Sequence, residues 1–82
     1  MPNGAMVYRC TDDRELRVVY DAEAHVATVI PYGRPHLRLE AAPAAHGFRF
    51  TRGSTTELSG VAGEVRWRYA GANPVSCLRT GY

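Results

Sequence analysis

The chain is 82 residues long and 45% apolar, with a formal net charge of +2 from 10 basic and 8 acidic side chains. This excludes a disordered polymer and leaves room for one small domain, whose core is marginal without a staple or a partner. Every basic residue is arginine, which excludes lysine chemistry such as a phosphate-loop lysine or a Schiff base, and the arginines are scattered among the acids with no basic block to mark a nucleic-acid partner.

Residues 1–6 lack the apolar run of a signal peptide and read as a disordered N-terminal tether, or an expression remnant, on a mature form. From Val7 onward the chain alternates with period two, and glycine or proline interrupts any helical pattern. Val7–Cys10 is a first strand, and Thr11–Arg14 a polar turn. Leu16, Val18 and Tyr20 alternate with Arg17 and Val19, and Asp21–Ala24 turns again. His25 heads a β-branched strand to Ile30, and Pro31–Pro35 breaks it. Leu37 and Leu39 alternate with Arg38 and Glu40, followed by the small-residue stretch Ala41–Ala45. Phe48-Arg49-Phe50 starts a strand that Arg52-Gly53-Ser54 turns, and Thr55–Ser59 pairs back. Gly60–Gly63 is a loop. Val65, Trp67 and Tyr69 alternate with Glu64, Arg66 and Arg68, Gly71–Pro74 turns, and Val75–Arg79 is the last strand.

Eight short strands at this spacing predict an all-β fold: a small eight-stranded antiparallel β-barrel over residues 7–79, with 80–82 as a tail. A barrel of eight strands is narrow enough for side chains to fill, and closure removes exposed edges.

Cys10 and Cys77 lie near opposite ends of the chain, too far apart for a CxxC redox or zinc pair. Two unrelated buried thiols is one reading. A Cys10–Cys77 disulfide tying the first strand to the last is the stronger one, because closing so long a loop stabilises by roughly 4 kcal/mol on the chain-entropy model. It implies an oxidising compartment.

The remaining candidates for chemistry are weak. Trp67 sits at an inward position and reads as a core residue. His25 and His36 have no second ligand at metal spacing, so no metal and no cofactor are expected. Asp12 and Asp13 are adjacent and diverge, unlike the converging carboxylates of a general acid/base pair. Ser54, Ser59 and Ser76 lack a nucleophile elbow or an activating histidine. Arg9, Arg17, Arg38, Arg49, Arg66 and Arg68 fall on the barrel exterior, where cross-strand pairs with glutamate are expected. A binding module is favoured over an enzyme.

The ordered set of strands resembles the periplasmic and membrane-bound inhibitors of C-type lysozyme (the MliC/PliC group). An aromatic-x-Cys strand (Tyr8-Arg9-Cys10) is followed by Leu-x-Val-x-Tyr (Leu16 to Tyr20), Ala-x-Val (Ala27 to Val29), Leu-x-Leu (Leu37 to Leu39) and a closing cysteine, Cys77. The resemblance spans Val7 to Cys77 and implies an eight-stranded barrel with this disulfide. It also implies inhibition by two loops that enter the lysozyme cleft and donate hydrogen bonds to its two catalytic carboxylates. One donor is the serine of a Ser-Gly-x-x-Tyr motif, and the other is the lysine of a Lys-Gly loop.

This sequence departs from both motifs. The first falls on His46-Gly47-Phe48-Arg49-Phe50, with His46 in place of serine and Phe50 in place of tyrosine. The second falls within Leu58–Glu64, where the lysine position is Ser59 or Ala62, depending on whether Gly60 or Gly63 is aligned. The resemblance therefore implies a partner-binding set of His46, Gly47, Arg49, Ser59, Gly60, Ala62 and Gly63, carried by segments 44–50 and 58–64. His46 would make a charge-assisted bond to a carboxylate, since imidazole has a reference pKa of about 6.5 and a nearby acid favours its charged form. Arg49 or Arg52 would supply the missing positive charge. The resemblance implies a C-type lysozyme as partner and the periplasm as location, with outer-membrane attachment only through a lipid-bearing segment upstream. The alternative is a barrel that has lost inhibition and serves as an envelope binding or structural domain.

Overall fold

The structure, a computed structural model, describes residues 3–31, 33–61 and 63–80. Eight strands follow one another around a closed antiparallel barrel: β1 Gly4–Cys10, β2 Glu15–Asp21, β3 Val26–Pro31, β4 Leu37–Ala41, β5 Phe48–Arg52, β6 Thr56–Val61, β7 Glu64–Arg68 and β8 Val75–Thr80. The ring closes where β8 pairs with β1, in the register Tyr8 with Arg79 and Cys10 with Cys77. The Cys10–Cys77 disulfide forms across this seam.

The period-two pattern sets the inside and the outside of the wall. Tyr8, Val18, Val29, Leu39, Phe50, Leu58, Val65 and Cys77 point inward and are fully buried. The rings of Tyr20, Phe48 and Phe50 meet with centroids 5.4–5.8 Å apart, in edge-on and tilted geometries. Trp67 is buried as its alternation predicts. Thr56 is the buried polar side chain among the described residues, and its Oγ1 accepts from the Ala70 N–H at 3.2 Å. On the exterior, Arg17 pairs with Glu15 of its own strand, and Arg49 pairs across strands with Glu57.

Several boundaries differ from the sequence pattern, and four of them bear on the two ends of the barrel. β1 starts at Gly4 rather than Val7, because Gly4, Ala5 and Met6 pair with Tyr20, Val19 and Val18 of a β2 that is already long. Glycine and alanine have little strand propensity, so only the partner strand makes this segment extended. His25 lies in the β2–β3 turn at φ 57° and does not head β3. Pro31 ends β3 as a buried strand residue, a terminal position that needs no further ladder donor. β6 runs through Gly60 and Val61, which the sequence placed in a loop.

Candidate functional site

In an up-and-down barrel the connections alternate between two ends. The turns and loops at 11–14, 32–36, 53–55 and 69–74 crowd one end. The β2–β3 turn, the β4–β5 loop at 42–47 and the β6–β7 tip at 62–63 crowd the other, with the start of β1 and the finish of β8. Segments 44–50 and 58–64 therefore meet at the same end, which we call the rim.

The contact that joins them is built from two glycines. Gly47 has φ 64°, and a Cβ on it would overlap the main-chain carbonyl of Gly60 and crowd Val61 Cγ1 at 3.2 Å. Gly60 in turn has φ 139°, and a Cβ on it would overlap the Glu64 carbonyl oxygen. Only glycine satisfies both the backbone angle and the close approach at each position. His46 is thus held beside the β6–β7 hairpin, exposed, with no hydrogen bond or ion pair among the described residues. The Ala42 N–H donates to the Arg49 carbonyl at 2.7 Å and the Ala41 N–H to the His25 carbonyl at 2.9 Å, which tie the loop's base to β5 and to the neighbouring turn.

The other site residues fall into two groups. Gly63 sits at the hairpin tip, and Ala62 lies outside the described residues. Ser59 is opposite Arg49 on one side and Arg66 on the other, so its side chain faces the outer wall of the barrel and not the open end. The Arg49 Nε donates to Glu57 Oε1 at 2.8 Å. Glu57 lies two positions from Ser59 toward the opposite end, so this pair draws the Arg49 guanidinium away from the rim. Arg52 closes β5 at the opposite end altogether. Neither arginine occupies the rim.

The sequence profile of a family described as "Membrane-bound lysozyme-inhibitor of c-type lysozyme" (MliC) matches residues 8–76. The chain belongs to that family. No individually curated protein and no solved structure matches it. The MliC family is one of inhibitors and not of enzymes, and it is associated with the membrane, in keeping with a cell-envelope setting.

In this MliC-family chain the rim carries an exposed His46 beside the close Gly47–Gly60 contact. The second segment is not an open loop, since Val61 pairs with Glu64 across the β6–β7 turn. Three rim residues escaped the sequence reading. Val61 and Leu78 are 55% and 58% exposed and flank Glu64 in one outward-facing row across β6, β7 and β8. Leu78 could have been found from the inward Cys77 beside it, since alternation forces its neighbour out. Arg79 follows, its N–H donating to the Gly63 carbonyl at 2.9 Å.

Beneath the rim, the hydroxyls of Tyr8 and Tyr20 are hydrogen-bonded at 2.8 Å, and Tyr8 Oη also donates to Met6 Sδ at 3.4 Å. Burial raises the pKa of both phenols above their ordinary value, and at Tyr20 the bond to Tyr8 adds to the rise. At Tyr8 that same bond and the charge of Arg79 act in the opposite direction but do not overcome burial.

At the far end is a separate cleft of about 400 Å³, whose lining includes Asp12, Arg14, Arg34, Trp67, Tyr69 and Asn73. The Arg34 guanidinium lies 4.7 Å from the Tyr69 ring centroid, and Trp67 stacks against Tyr69 at 6.1 Å. None of His46, Gly47, Arg49, Ser59, Gly60 and Gly63 lines this cleft.

Proposed function

We propose that this domain inhibits C-type lysozyme by placing segments 44–50 and 58–64 in the enzyme's active-site cleft, and that it does so in the periplasm or from an outer-membrane anchor facing it. One observation carries the reading. The two segments, at the open end of the β5–β6 pair, are fastened together at one end of the barrel by the Gly47–Gly60 contact, with His46 exposed beside a narrow hairpin.

The chemistry of the target explains what such a rim has to offer. Lysozyme hydrolyses its glycan with two carboxyl groups facing each other across the scissile bond. A protein that fills this cleft meets negative charge and must supply N–H or O–H donors, because a buried carboxylate without partners is costly. His46 is the donor on the first segment, and hydrogen bonds to an ionised carboxylate are among the stronger ones a side chain makes. Gly47, Gly60 and Gly63 keep the backbone slim enough to enter, and Ala62 belongs to the second of the two segments. Ser59 and Arg49 contribute at the flank, where the outer wall meets the lip of the cleft.

The direct test is turbidimetric. Purified domain is mixed with a C-type lysozyme and a suspension of cell walls, and the rate of clearing is followed. Clearing is expected to slow at micromolar domain. Lysis at the uninhibited rate with about 10 μM domain overturns the proposal.

A further inference from the structure

The chain has ten arginines and no lysine, and the fold distributes those arginines unevenly. Arg14, Arg34 and Arg52 lie at the end opposite the rim. Arg9, Arg17 and Arg68 occupy the half of the wall nearest that end. Arg38, Arg49 and Arg66 sit mid-wall and face outward, with Arg49 drawn away by Glu57. Arg79 alone belongs to the rim.

Three features define its position. Its N–H bond to the Gly63 carbonyl fixes the end of β8 against the hairpin tip. Its side chain is exposed and forms no hydrogen bond or ion pair among the described residues. Residue 79 has the inward parity of Cys77 and lies opposite Tyr8, so its side chain projects over the barrel mouth and not along the outer wall. The electrostatic effect of Arg79 on the Tyr8 phenol agrees with that placement.

We infer that Arg79 is the cation of the inhibitory rim, engaging a catalytic carboxylate of the lysozyme cleft from β8 in place of a lysine on the hairpin. The inference rests on the inhibitor reading above. Its physical basis is the pairing of an exposed, uncommitted guanidinium with an acidic cleft. The guanidinium fork matches a carboxylate bidentately, and the bond strengthens as water leaves. The geometry is suitable as well. His46 precedes β5 and Arg79 is the penultimate residue of β8, so the two donors flank the β6–β7 hairpin, separated by about 14 Å of arc at the usual strand spacing. Side chains converging from both sides of a slim hairpin can each reach one of two facing carboxylates.

The experiment compares the inhibition constants of wild type, Arg79→Met, Arg79→Gln, Arg79→Lys and Arg17→Met against one C-type lysozyme, at low and high salt. Arg79→Met and Arg79→Gln are expected to weaken inhibition at least ~10-fold and to flatten its salt dependence. Arg79→Lys is expected to retain most of the affinity, and Arg17→Met to stay within about 3-fold of wild type, since the exposed pair of Arg17 with Glu15 lies toward the opposite end and such pairs contribute little. Residue 79 is exposed, so melting temperatures serve as the control, and two neutral variants guard against one that misfolds. A wild type that inhibits, with both neutral variants equal to it, overturns the role of Arg79 and leaves the inhibitor reading standing. A wild type that does not inhibit overturns both.

Discussion

Gly47 lies against the main-chain carbonyl of Gly60, and through this contact the loop carrying His46 is seated on the β6–β7 hairpin. The approach leaves no space for a side chain, and the positive φ of Gly47 disfavours one independently. Gly47→Ala is therefore expected to destabilise the domain by about 1–3 kcal/mol, through strain and displacement of the loop. Denaturant midpoints measure this, and a variant with the wild-type midpoint shows that the loop is seated otherwise. Under conditions where the variant is still folded, inhibition is expected to fall, because His46 is displaced with the loop.

The Cys10–Cys77 disulfide joins residues that are already paired in register across the β1–β8 seam. It therefore restrains the unfolded chain more than it shapes the folded one. Replacing both cysteines with serine is expected to cost about 2–5 kcal/mol, a large share of the stability of so small a domain. The measurement is thermal unfolding followed by far-ultraviolet circular dichroism, with and without reductant. A melting temperature insensitive to reductant refutes the assignment of the seam as the staple.

The buried tyrosine pair makes stability fall at alkaline pH. Tyr8 and Tyr20 have folded-state pKa values above the ordinary 10.0, with burial the main cause at each. A group whose pKa is raised by folding stabilises fully below its unfolded value, and that contribution is lost as pH rises toward the folded value. Stability is thus expected to hold up to about pH 10 and to decline above it. Tyrosinate absorbance and circular dichroism recorded together test this. These two phenols should ionise only as the barrel unfolds, and full ionisation of all tyrosines in a chain that remains folded contradicts the prediction.

Much of the fold was legible in the sequence because a narrow barrel enforces strict alternation. Val65 and Trp67 against Glu64, Arg66 and Arg68 fix a strand and its inner face without further information. The disulfide was legible for a similar reason, since a closed ring must bring its first and last strands together. Gly4–Met6 was not, because those residues are extended only through their pairing with β2. The rim was half legible. The position of His46 could be read from local motif order, but the placement of charge could not. Arg49 and Arg52 are close to His46 in sequence, yet a strand only a few residues long carries Arg52 to the other end of the barrel, and Glu57 holds Arg49 away. Arg79, remote in sequence, arrives at the rim because closure of the ring places β8 beside β7.

His46 and Arg49 stand three positions apart, and replacing each by alanine separates a rim donor from a wall residue. His46 is exposed at the end of the barrel with no side-chain partner among the described residues, so its loss should leave the fold intact, within the roughly ±0.5 kcal/mol usual for surface changes. If its imidazole meets a carboxylate in the cleft, His46→Ala leaves that charge short of a donor, and inhibition should weaken by about 10-fold or more. Arg49→Ala removes an ion pair that is partly exposed and directed toward the opposite end, so stability should drop by no more than about 1 kcal/mol. Inhibition should change by less than about 3-fold, because a residue at the edge of an interface contributes little. Inhibition constants for the two variants, with melting temperatures as the control, decide the matter. The reverse order, with Arg49→Ala the more damaging, would place the contact surface on the barrel wall around Ser59 and Arg66 instead of at the rim.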